Sequence, residues 1–588
     1  MNKNVISYDT ETTGLHVHQG DSMFSFSTCS FEGVIDVKRL DTSKRRENKE
    51  RLKNLMEDYK LEKVCHNVKF DFRFTNTFLT HDYLQKSIIH DTAIQAHIIN
   101  NKFPNRKLKY LSFILSGYPR DDEAAVHAIV REGGNYSHVP VELMNIYQQR
   151  DAERTMLLHR FFYPMIEKNS GYLRAYKMEM ELIKVTAKME NRGIKIDVDL
   201  AKTRKTELDK EACKILKEIQ TEAGWNINPQ SSQQVQELLY TKLKLPVLAV
   251  TKKAKKPAVD KTVLNELFRM YPKIKILRLL QKYISRVNGS DSMSQFIHFA
   301  DSEGIIHPNI NTCAAITNRE SCSDPNLQNI QKVGVMLNPF PVNEREVFIP
   351  RNGYVHIHID YSGIELRLLV HFAREEKLIK VFEEGGDPHR PACLIFFKGE
   401  FETLAEDSER FKTLRGGGKN SNFMIPYGGG AKKLTKTLNV PLSEAVRMYN
   451  DYKLAFPKLV SLNKDISRIV REDGHVITPF GRKLECNPQK AYTGLNMLVQ
   501  GTAGEILKHA QVRVAKILRE EYQDEIKMLL PIHDEIIFEY PRKELKALPE
   551  FIKKIRNPMI EFPEISVPLD IGVEMVTRNW SIKKKVKI

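Results

Sequence analysis

The sequence lacks the cysteine patterns of a disulfide-stapled or zinc-binding protein. Its 588 residues include seven cysteines, an odd number, and no two of them form a CxxC pair. This argues for a reducing compartment and against both a disulfide framework and a structural zinc site. The sequence also lacks the apolar segment of a signal peptide and any apolar run long enough to span a bilayer. We therefore expect a cytoplasmic protein, in the host cytoplasm if it is viral, with no membrane partner.

Acidic residues are fewer than basic ones. The chain has 74 Asp and Glu against 91 Lys and Arg, which gives a net charge of +17 and a pI near 9.2. A basic excess of this size favours a polyanionic partner, most simply a nucleic acid. Basic residues are densest between 242 and 286, where only Asp260 and Glu266 oppose them. This segment, with "TKKAKKPA" as a loop, is either a solvated face or a phosphate-binding element.

The chain shows no internal repeat, and its length suits three or four domains. The first 165 or so residues mix short apolar strands with helical stretches, which predicts a compact α/β domain. Residues 172–223 are predicted to be mostly helical, with a break near "ENRGIKID". A strand running into a helix is predicted at "YVHIHIDYSGIELRLLVHFA", followed by helices to about residue 480. The terminal "KKKVKI" is expected to be an exposed tail that can touch DNA.

The stretch "LLPIHDEIIFEYP" places His533, Asp534 and Glu535 between two flanks of strand composition. This predicts a β-hairpin with acids at its turn. Asp360 stands at the end of another predicted strand, where an aspartate alone is also a common helix cap. Together, Asp360 and Asp534 could face each other across one sheet and bind Mg²⁺. Two such ions about 3.5–4 Å apart can activate an attacking hydroxyl and stabilise a leaving pyrophosphate.

The stretch "RGGGKNSNFMIPYG" repeats functional side chains every four residues: Arg415, Lys419, Phe423 and Tyr427. On a helix this spacing gives a slowly drifting stripe, with two cations for a triphosphate followed by two aromatics for a base. An ordinary amphipathic helix is the alternative. Three consecutive glycines at 416–418 weigh against it, because glycine is a poor helix former.

A second set of acids lies in the N-terminal region. Asp9 and Glu11 are two residues apart on a predicted strand, so both point to the same face. Asp71 follows Asn67 by four residues. Tyr147 and Asp151 are also four apart, on one face of a predicted helix. Each pair alone is more typical of a solvated face or a cap than of a site.

Taken together, these motifs resemble those of a known protein family. The chain resembles family A DNA polymerases and is similar to the large fragment of bacterial DNA polymerase I. "DYSGIELR", R-x3-K-x3-F-x3-YG and "HDE" resemble three polymerase motifs, while "TNRESCSDPNLQNI" and "QGTAGEILKHA" resemble two further segments. They follow the family's order over nearly the whole chain. The N-terminal acids resemble the three motifs of DEDDy 3′–5′ exonucleases, and the expected lack of a 5′ nuclease is phage-like.

The resemblance implies a multidomain fold of α/β and α+β type, in which an RNase H-like 3′–5′ exonuclease domain precedes a right-hand polymerase fold. It implies an exonuclease at 1–165, a palm at 166–195, 301–375 and 484–588, a thumb at 196–300, and fingers at 376–483. It further implies a DNA-templated DNA polymerase with proofreading, active in DNA replication. Such a protein would be a monomer that binds primer-template DNA, dNTPs and two Mg²⁺ per active site, with Mn²⁺ as a possible substitute.

The resemblance also implies individual roles. The metal ligands would be Asp360 and Asp534 in the palm, and Asp9, Glu11, Asp71 and Asp151 in the exonuclease. Glu535 and Tyr147 would complete the two catalytic sets. The nucleotide contacts would be Arg415, Lys419, Phe423, Tyr427, His389, Tyr361 and Glu365, the last as a gate against a ribose 2′-OH. The DNA contacts would be Arg319, Asn329, Arg482, Asn496, Gln500 and His533.

The sequence departs from the family's pattern at four places. Gly363 stands where the family usually has Gln, Glu320 where it has a small apolar residue, and Tyr492 where many members have Arg. Pro426 falls inside the predicted fingers helix, where a proline removes a backbone hydrogen bond and clashes with the preceding turn. We therefore expect base selection, primer grip and fidelity to be the properties that differ.

Three alternatives stay open. The first is a 3′–5′ exonuclease whose C-terminal region only holds DNA, but it would not need Asp360, Asp534 and the four-residue stripe together. The second is a nucleic-acid-binding protein with decayed sites, although all six metal-ligand carboxylates are present. The third is reverse transcription as an added activity, since a hybrid helix is recognised mainly by its shape.

Overall fold

Apolar runs near the N-terminus form a five-stranded sheet. Its strands are β1 (Val5–Thr12), β2 (Met23–Ser30), β3 (Ile35–Arg39), β4 (Glu62–Cys65) and β5 (Ile89–Asp91), and they lie in the order β3-β2-β1-β4-β5. β1 pairs antiparallel with β2 and parallel with β4, and β4 pairs parallel with β5. The structure, a computed structural model, describes residues 4–131, 134–251, 255–330 and 340–587.

Six helices surround this first sheet: α1 (Arg45–Glu57), α2 (Val68–Leu79), α3 (Thr92–Ile99), α4 (Leu108–Ser116), α5 (Asp121–Arg131) and α6 (Val141–Glu167). Helix α6 lies directly on β1 and β2 because small hydroxyl side chains let it approach. Ser7 donates to the carbonyl oxygen of Ala152 at 2.7 Å, and Ser27 donates to that of Gln148 at 3.0 Å. The predicted α/β organisation of this region is confirmed.

A mainly helical segment follows. It comprises α7 (Ser170–Arg192), α8 (Val198–Ala223), α9 (Ser232–Gln236), α10 (Lys261–Met270) and α11 (Lys275–Phe299), with the short strands β6 (Ile194–Lys195), β7 (Ile305–Ile306), β8 (Asn309–Asn311) and β9 (Ser321–Ser323). The long helices α8 and α11 bury an apolar cluster between them that includes Ile215, Ile219, Leu277 and Leu280. The predicted helical stretch with a break after Arg192 is confirmed. Lys252 and Lys253 of the "TKKAKKPA" loop lie outside the described residues.

A second five-stranded sheet is formed by β10 (Tyr354–Tyr361), β13 (Lys527–Ile532), β14 (Glu535–Pro541), β15 (Ile571–Val576) and β16 (Lys584–Lys585). Its order is β13-β14-β10-β15-β16, and every neighbouring pair is antiparallel. The strand residues Val355, Ile357 and Ile359 are fully buried. Helices α12 (Ile364–Ala373), α19 (Gly494–Glu521) and α20 (Leu548–Ile560) contribute to the same core. The predicted hairpin and the strand-to-helix unit are confirmed.

The region between α12 and α19 is helical, as predicted. It contains α13 (Glu376–Glu383), α14 (Arg390–Phe401), α15 (Glu409–Met424), α16 (Ala431–Leu438), α17 (Leu442–Ala455) and α18 (Pro457–Asp473), followed by β11 (His475–Ile477) and β12 (Lys483–Glu485). No helix of the described residues has both the length and the apolar character needed to cross a membrane.

One local expectation is wrong, and a second holds only in part. Helix α15 ends at Met424, so Pro426 and Tyr427 lie in the turn that follows and the proline breaks no helix. The missing amide of Pro426 falls where a helix could not continue in any case. The lysine-rich end is exposed at Lys584 and Lys585, as expected, but these two residues form the paired strand β16 at the edge of the second sheet.

Candidate functional site

The acids predicted in the N-terminal region converge on the first sheet. Asp9 and Glu11 lie on β1, Asp71 on α2, and Tyr147 and Asp151 on the inner face of α6. Asp9, Glu11 and Asp151 each bring a carboxylate oxygen to within 4.8 Å of the others. The two-residue and four-residue spacings therefore act as the sequence predicted, by directing these side chains into one cluster.

Asp71 of α2 is held beside this cluster by β1, the strand that carries Asp9 and Glu11. The amide of Thr10 donates to Asp71 Oδ1 at 3.0 Å, and the hydroxyl of Thr10 donates to the same oxygen at 2.8 Å. Thr10 lies between Asp9 and Glu11, so the strand fixes three acids at once. Helix α2 begins at Asn67, whose left-handed backbone (φ 78°) sets the direction of the helix toward β1.

Two cations that the sequence analysis missed contact Asp151. Lys109 Nζ lies 2.9 Å from Asp151 Oδ2, and Arg154 donates to Asp151 Oδ1 at 2.7 Å. The Lys109 ammonium also sits 3.5 Å from the centre of the Tyr147 ring. Arg154 is fully buried and continues to Asp122 at 2.7 Å. These cations come from α4 and α6, and no local pattern in "KLKYLSF" signals that Lys109 reaches this site.

The electrostatics of the N-terminal cluster suit a divalent cation. Burial raises the pKa of Glu11 to about 8 and that of Asp71 to about 7, and burial together with Asp71 and Glu11 raises the pKa of Asp9. Crowded carboxylates resist ionisation in this way until a positive charge joins them. Hard carboxylate oxygens are also the ligands that Mg²⁺ and Mn²⁺ prefer. The residues present therefore fit a bound metal.

The second predicted acid pair meets at the end of the second sheet. Asp360, near the end of β10, is the register partner of Glu535 on β14. Asp534 occupies the hairpin turn beside it, and its carbonyl oxygen accepts the amide of Tyr361 at 3.2 Å. Asp360 and Asp534 line one cleft with a volume of 840 Å³. Burial, followed by the charge of Glu535, raises the pKa of Asp360 to about 6, so this pair also fits a cation.

Glu535 differs from its two neighbours. It accepts a hydrogen bond from His358 Nδ1, and Lys583 Nζ lies 3.0 Å from its Oε1 and 3.2 Å from its Oε2. Burial opposes its ionisation, but the His358 hydrogen bond and the Lys583 charge outweigh burial and lower its pKa to about 2. Glu535 is thus an ionised carboxylate whose charge is balanced by Lys583 inside the cleft. Asp360, by contrast, has a raised pKa.

Arg319 connects the cleft to the start of α12. Its guanidinium donates to Glu365 Oε1 at 2.8 Å and lies 3.5 Å from Asp534 Oδ1. The adjacent Gly363 adopts φ 66°, a left-handed conformation that favours glycine over the usual glutamine. Tyr361 lines the cleft too, but its hydroxyl donates to the carbonyl oxygen of Met559 at 2.6 Å.

The departure at Glu320 has a structural explanation. The side chain is buried and accepts a hydrogen bond from Gln511 of α19 at 2.6 Å. Burial raises the pKa of Glu320 to about 7. A glutamate is therefore tolerated at a position of apolar character because it has a partner and loses its charge easily.

The four-residue stripe is only partly helical. Arg415, Lys419 and Phe423 lie on α15, and Phe423 and Tyr427 line one shallow pocket at its end. Arg415 pairs with Asp387 at 2.7 Å, and Lys419 is exposed. His389 is buried, with its ring centre 6.3 Å from that of Phe423. The five side chains proposed for nucleotide contact in this helical region are therefore grouped along one side of α15.

Two of the three glycines of α15, Gly417 and Gly418, have a packing role that the sequence pattern did not predict. A Cβ atom at Gly418 would lie 2.3 Å from Cys393 Sγ of α14, and one at Gly417 would lie 2.9 Å from Leu438 of α16. Both glycines let neighbouring helices approach closely. They are therefore no argument against a structural helix, although the stripe itself remains.

The predicted DNA contacts separate into two groups. Asn329 and His533 are exposed, Arg319 lies 3.5 Å from Asp534, and Asn496 and Gln500 are half-buried one turn apart on α19. Arg482 is different because it is 1% exposed and pairs with Glu179 at 2.7 Å and Glu505 at 3.0 Å. In this conformation Arg482 serves a buried ion network rather than a surface.

Comparisons with known proteins agree with this arrangement. The family model "DNA polymerase family A" matches residues 198–582, and the model "3′-5′ exonuclease" matches residues 1–167. DNA polymerase I, thermostable, of Thermus thermophilus is 30% identical over 451 residues, which cover 74% of this chain and 52% of the relative. DNA polymerase I of Pseudomonas aeruginosa is 27% identical over 605 aligned residues, covering 98% of this chain and 63% of the relative.

A solved structure shares the fold. It is described as the POL domain of Pol1 from M. smegmatis in complex with DNA primer-template and dNTP. The TM-score is 0.79 at 21% identity, and the match covers 98% of this chain and 95% of that one. The chain spans about half to two-thirds of the length of the curated relatives it matches.

Proposed function

The chain belongs to the family A DNA polymerases, and from that premise we propose that it extends a primer 3′ end with dNTPs on a DNA template. We propose further that its N-terminal cluster removes 3′-terminal nucleotides from the same DNA. The observation that carries the first proposal is the meeting of Asp360 and Asp534 in one cleft, with Arg319 3.5 Å from Asp534. The convergence of Asp9, Glu11 and Asp151 carries the second.

The proposed domains follow the sequence expectations. The first sheet and its helices would be the exonuclease, the second sheet the palm, α8–α11 the thumb and α13–α18 the fingers. This assignment is supported by the 0.79 TM-score to a polymerase domain and by the residues that each family model matches. The protein would act as a monomer on primer-template DNA in the cytoplasm, during DNA replication.

Asp360 and Asp534 would hold the metal ions of the polymerase site, and Asp9, Glu11, Asp71 and Asp151 those of the exonuclease site, with Mg²⁺ as the ion and Mn²⁺ as a substitute. Divalent ions at such sites activate the attacking oxygen and stabilise the leaving group when bound. The chain's own contribution would be to position the reactants, which can account for several kcal/mol of a barrier.

Other side chains have separate proposed tasks. Arg415 and Lys419 would bind the nucleotide phosphates, with His389 beside them, while Phe423 and Tyr427 would contact the sugar and the base. Arg319 holds Glu365 in place at the start of α12, which suits Glu365 to a fixed role against a ribose 2′-OH. Tyr147 would orient the attacking water in the exonuclease site.

The proposal is tested with a 5′-labelled primer on a DNA template in Mg²⁺, with and without dNTPs. We expect longer products with dNTPs and shorter ones without them. The variant Asp9→Ala with Glu11→Ala should stop shortening and spare extension. Loss of both activities in this variant would contradict two separate sites, and a wild type that only shortens the primer would favour an exonuclease with a DNA-holding C-terminal region.

A further inference from the structure

The C-terminal segment borders the polymerase cleft, where Lys583, Lys585 and Val586 form part of the lining. β16 pairs with β15, with Lys585 opposite Glu574 and Lys584 opposite Met575. The amide of Val586 donates to the carbonyl oxygen of Val573 at 2.9 Å. These contacts fix the last residues of the described chain along the edge of the second sheet, beside Asp360.

The segment before β16 is anchored by an aromatic cluster. Trp580 is 1% exposed, and its amide donates to the carbonyl oxygen of Phe348 at 2.9 Å. Its ring packs edge-on against Phe348 with centres 5.4 Å apart, and 5.5 Å from the centre of His358. The guanidinium of Arg345 covers it at 4.9 Å. A strand secured on both sides in this way can hold the intervening side chain of Lys583 in a defined place.

From this position Lys583 contacts two acids, Glu535 and Glu574. Its ammonium lies 3.0 and 3.2 Å from the two oxygens of Glu535 and 3.2 Å from Glu574, and its side chain is 15% exposed. Glu535 is thereby held between Lys583 and His358. By contrast, the ion pair that Asp534 makes with Arg319 involves one oxygen, at 3.5 Å.

We propose that Lys583 is a positioning residue of the polymerase site, which turns Glu535 onto His358 and keeps it from joining Asp360 and Asp534 as a third metal ligand. This inference rests on the proposed function of the cleft. It makes the C-terminal strand part of the active site: the strand determines how many carboxylates are available to metal there.

The consequence of removing Lys583 follows from charge and from freedom of rotation. Glu535 would lose the cation that contacts both of its oxygens and could turn within the cleft toward Asp360 and Asp534. The cleft would then carry one more available negative charge for a divalent ion. We expect Lys583→Met to bind Mn²⁺ about tenfold more tightly, which is the scale for one charge near a partly exposed site. Primer extension should slow several-fold because a third carboxylate would join Asp360 and Asp534, the two residues that would hold the metal.

The test is Mn²⁺ titration of the full chain by calorimetry, with Asp9→Ala and Glu11→Ala present in every protein to weaken binding at the exonuclease site. Lys583→Met is compared with Lys584→Met, which removes an exposed lysine from the next position in the chain. Lys583→Arg keeps the charge and should keep the parental affinity. Lys583→Met combined with Glu535→Gln should return the affinity to near the parental value, and thermal melting verifies that each variant is folded.

The outcomes separate the two proposals. Tighter Mn²⁺ binding in Lys583→Met, reversed by Glu535→Gln, would support the positioning role. Equal or weaker binding in folded Lys583→Met, relative to Lys584→Met, would overturn it while leaving the polymerase proposal intact if the parental protein extends primers. A parental protein that fails to extend primers would instead refute the proposed function itself.

Discussion

Asp360 and Glu535 are register partners in the second sheet, yet their carboxyl groups have opposite surroundings. Burial and the neighbouring charge raise the pKa of Asp360 to about 6, while His358 and Lys583 overcome burial and lower that of Glu535 to about 2. The difference comes from partners that are far away in sequence. At the residue scale, the role of an acid is therefore determined by its contacts and not by its place in a motif.

Glu365 provides a test at this scale. We expect Glu365→Ala to admit ribonucleotides at least roughly tenfold more readily relative to dNTPs, because a group fixed by Arg319 no longer blocks the 2′-OH. Single-nucleotide incorporation of a dNTP and the matching rNTP gives the ratio. Glu383→Ala, which removes an exposed acid from α13, is the matched control. Unchanged discrimination in Glu365→Ala would refute the gate.

Lys109 provides a second test of a single residue. We expect Lys109→Met to slow excision by roughly tenfold to a hundredfold, because Asp151 and the Tyr147 ring lose the cation that both contact. Shortening of a labelled single strand measures the rate, and primer extension with dNTPs should not change. Lys107→Met, at the start of the same helix but exposed, should excise normally. Normal excision by Lys109→Met would show that the contacts of Lys109 with Asp151 and Tyr147 do not contribute to excision.

At the scale of elements, a buried ion network joins α7, α19 and the turn that carries Arg482. Glu179 accepts Arg482 and Lys508 at 2.7 Å each, and Lys508 also donates to Asn318 at 2.8 Å. Asn318 precedes Arg319 in the chain, so the network supports the segment that brings Arg319 to 3.5 Å from Asp534. This is a structural task for Arg482, which the sequence had suggested as a DNA contact.

The network predicts a pH-dependent loss of stability. Burial opposes ionisation of Glu179, but Lys508 and Arg482 outweigh it and lower its pKa to about 2, below the ordinary value of 4.5. A lowered pKa stabilises the fold above pH 4.5, and that contribution is lost as the pH falls toward 2. We expect Glu179→Gln to cost about 3–5 kcal/mol at pH 7, since it leaves buried cations without their partner.

Urea denaturation between pH 7 and pH 3 measures this effect. The difference between wild type and Glu179→Gln should be largest at pH 7 and should narrow below pH 4.5. Glu181→Gln, an exposed position on the same helix, should change stability by no more than about 0.5 kcal/mol. A difference that stays constant with pH would mean that the charge of Glu179 does not stabilise the fold.

The elements themselves were largely predictable, because periodicity reports burial within one element. The alternation in β10 and the apolar flanks of the hairpin identified the strands that hold Asp360 and Asp534. The end of α15 was misjudged because the four-residue spacing of Arg415, Lys419, Phe423 and Tyr427 continues past the last helical turn. Spacing alone does not show where backbone hydrogen bonding stops.

The non-local partners were not predictable. Lys109 reaches Asp151 across 42 positions, and Lys583 reaches Glu535 across 48. Neither lysine stands in a motif, and each looks like an ordinary basic residue in a basic protein. Their roles depend on how α4 packs on α6 and how β16 pairs with β15, and single-sequence patterns carry no signal for such packing.

At the scale of the whole molecule, the N-terminal region is fastened to the segment that leads to Arg319. Arg106 donates to the carbonyl oxygen of Cys313 at 2.5 Å, and Asn101 donates to that of Ile316 at 2.7 Å. Lys69 and Arg73 of α2 pair with the buried Glu190 of α7. The two carboxylate sites therefore sit in one connected framework, although each is built from its own sheet.

The proposed function gives one chain two independent sites, one that extends DNA and one that shortens it. The most direct test follows a 5′-labelled primer on a DNA template in Mg²⁺, with and without dNTPs, in wild type and Asp534→Asn. We expect wild type to extend the primer with dNTPs and to shorten it without them. Asp534→Asn should lose primer extension by several orders of magnitude, while its shortening of the primer is unchanged. Undiminished extension by Asp534→Asn, or loss of both activities together, would contradict the proposed function.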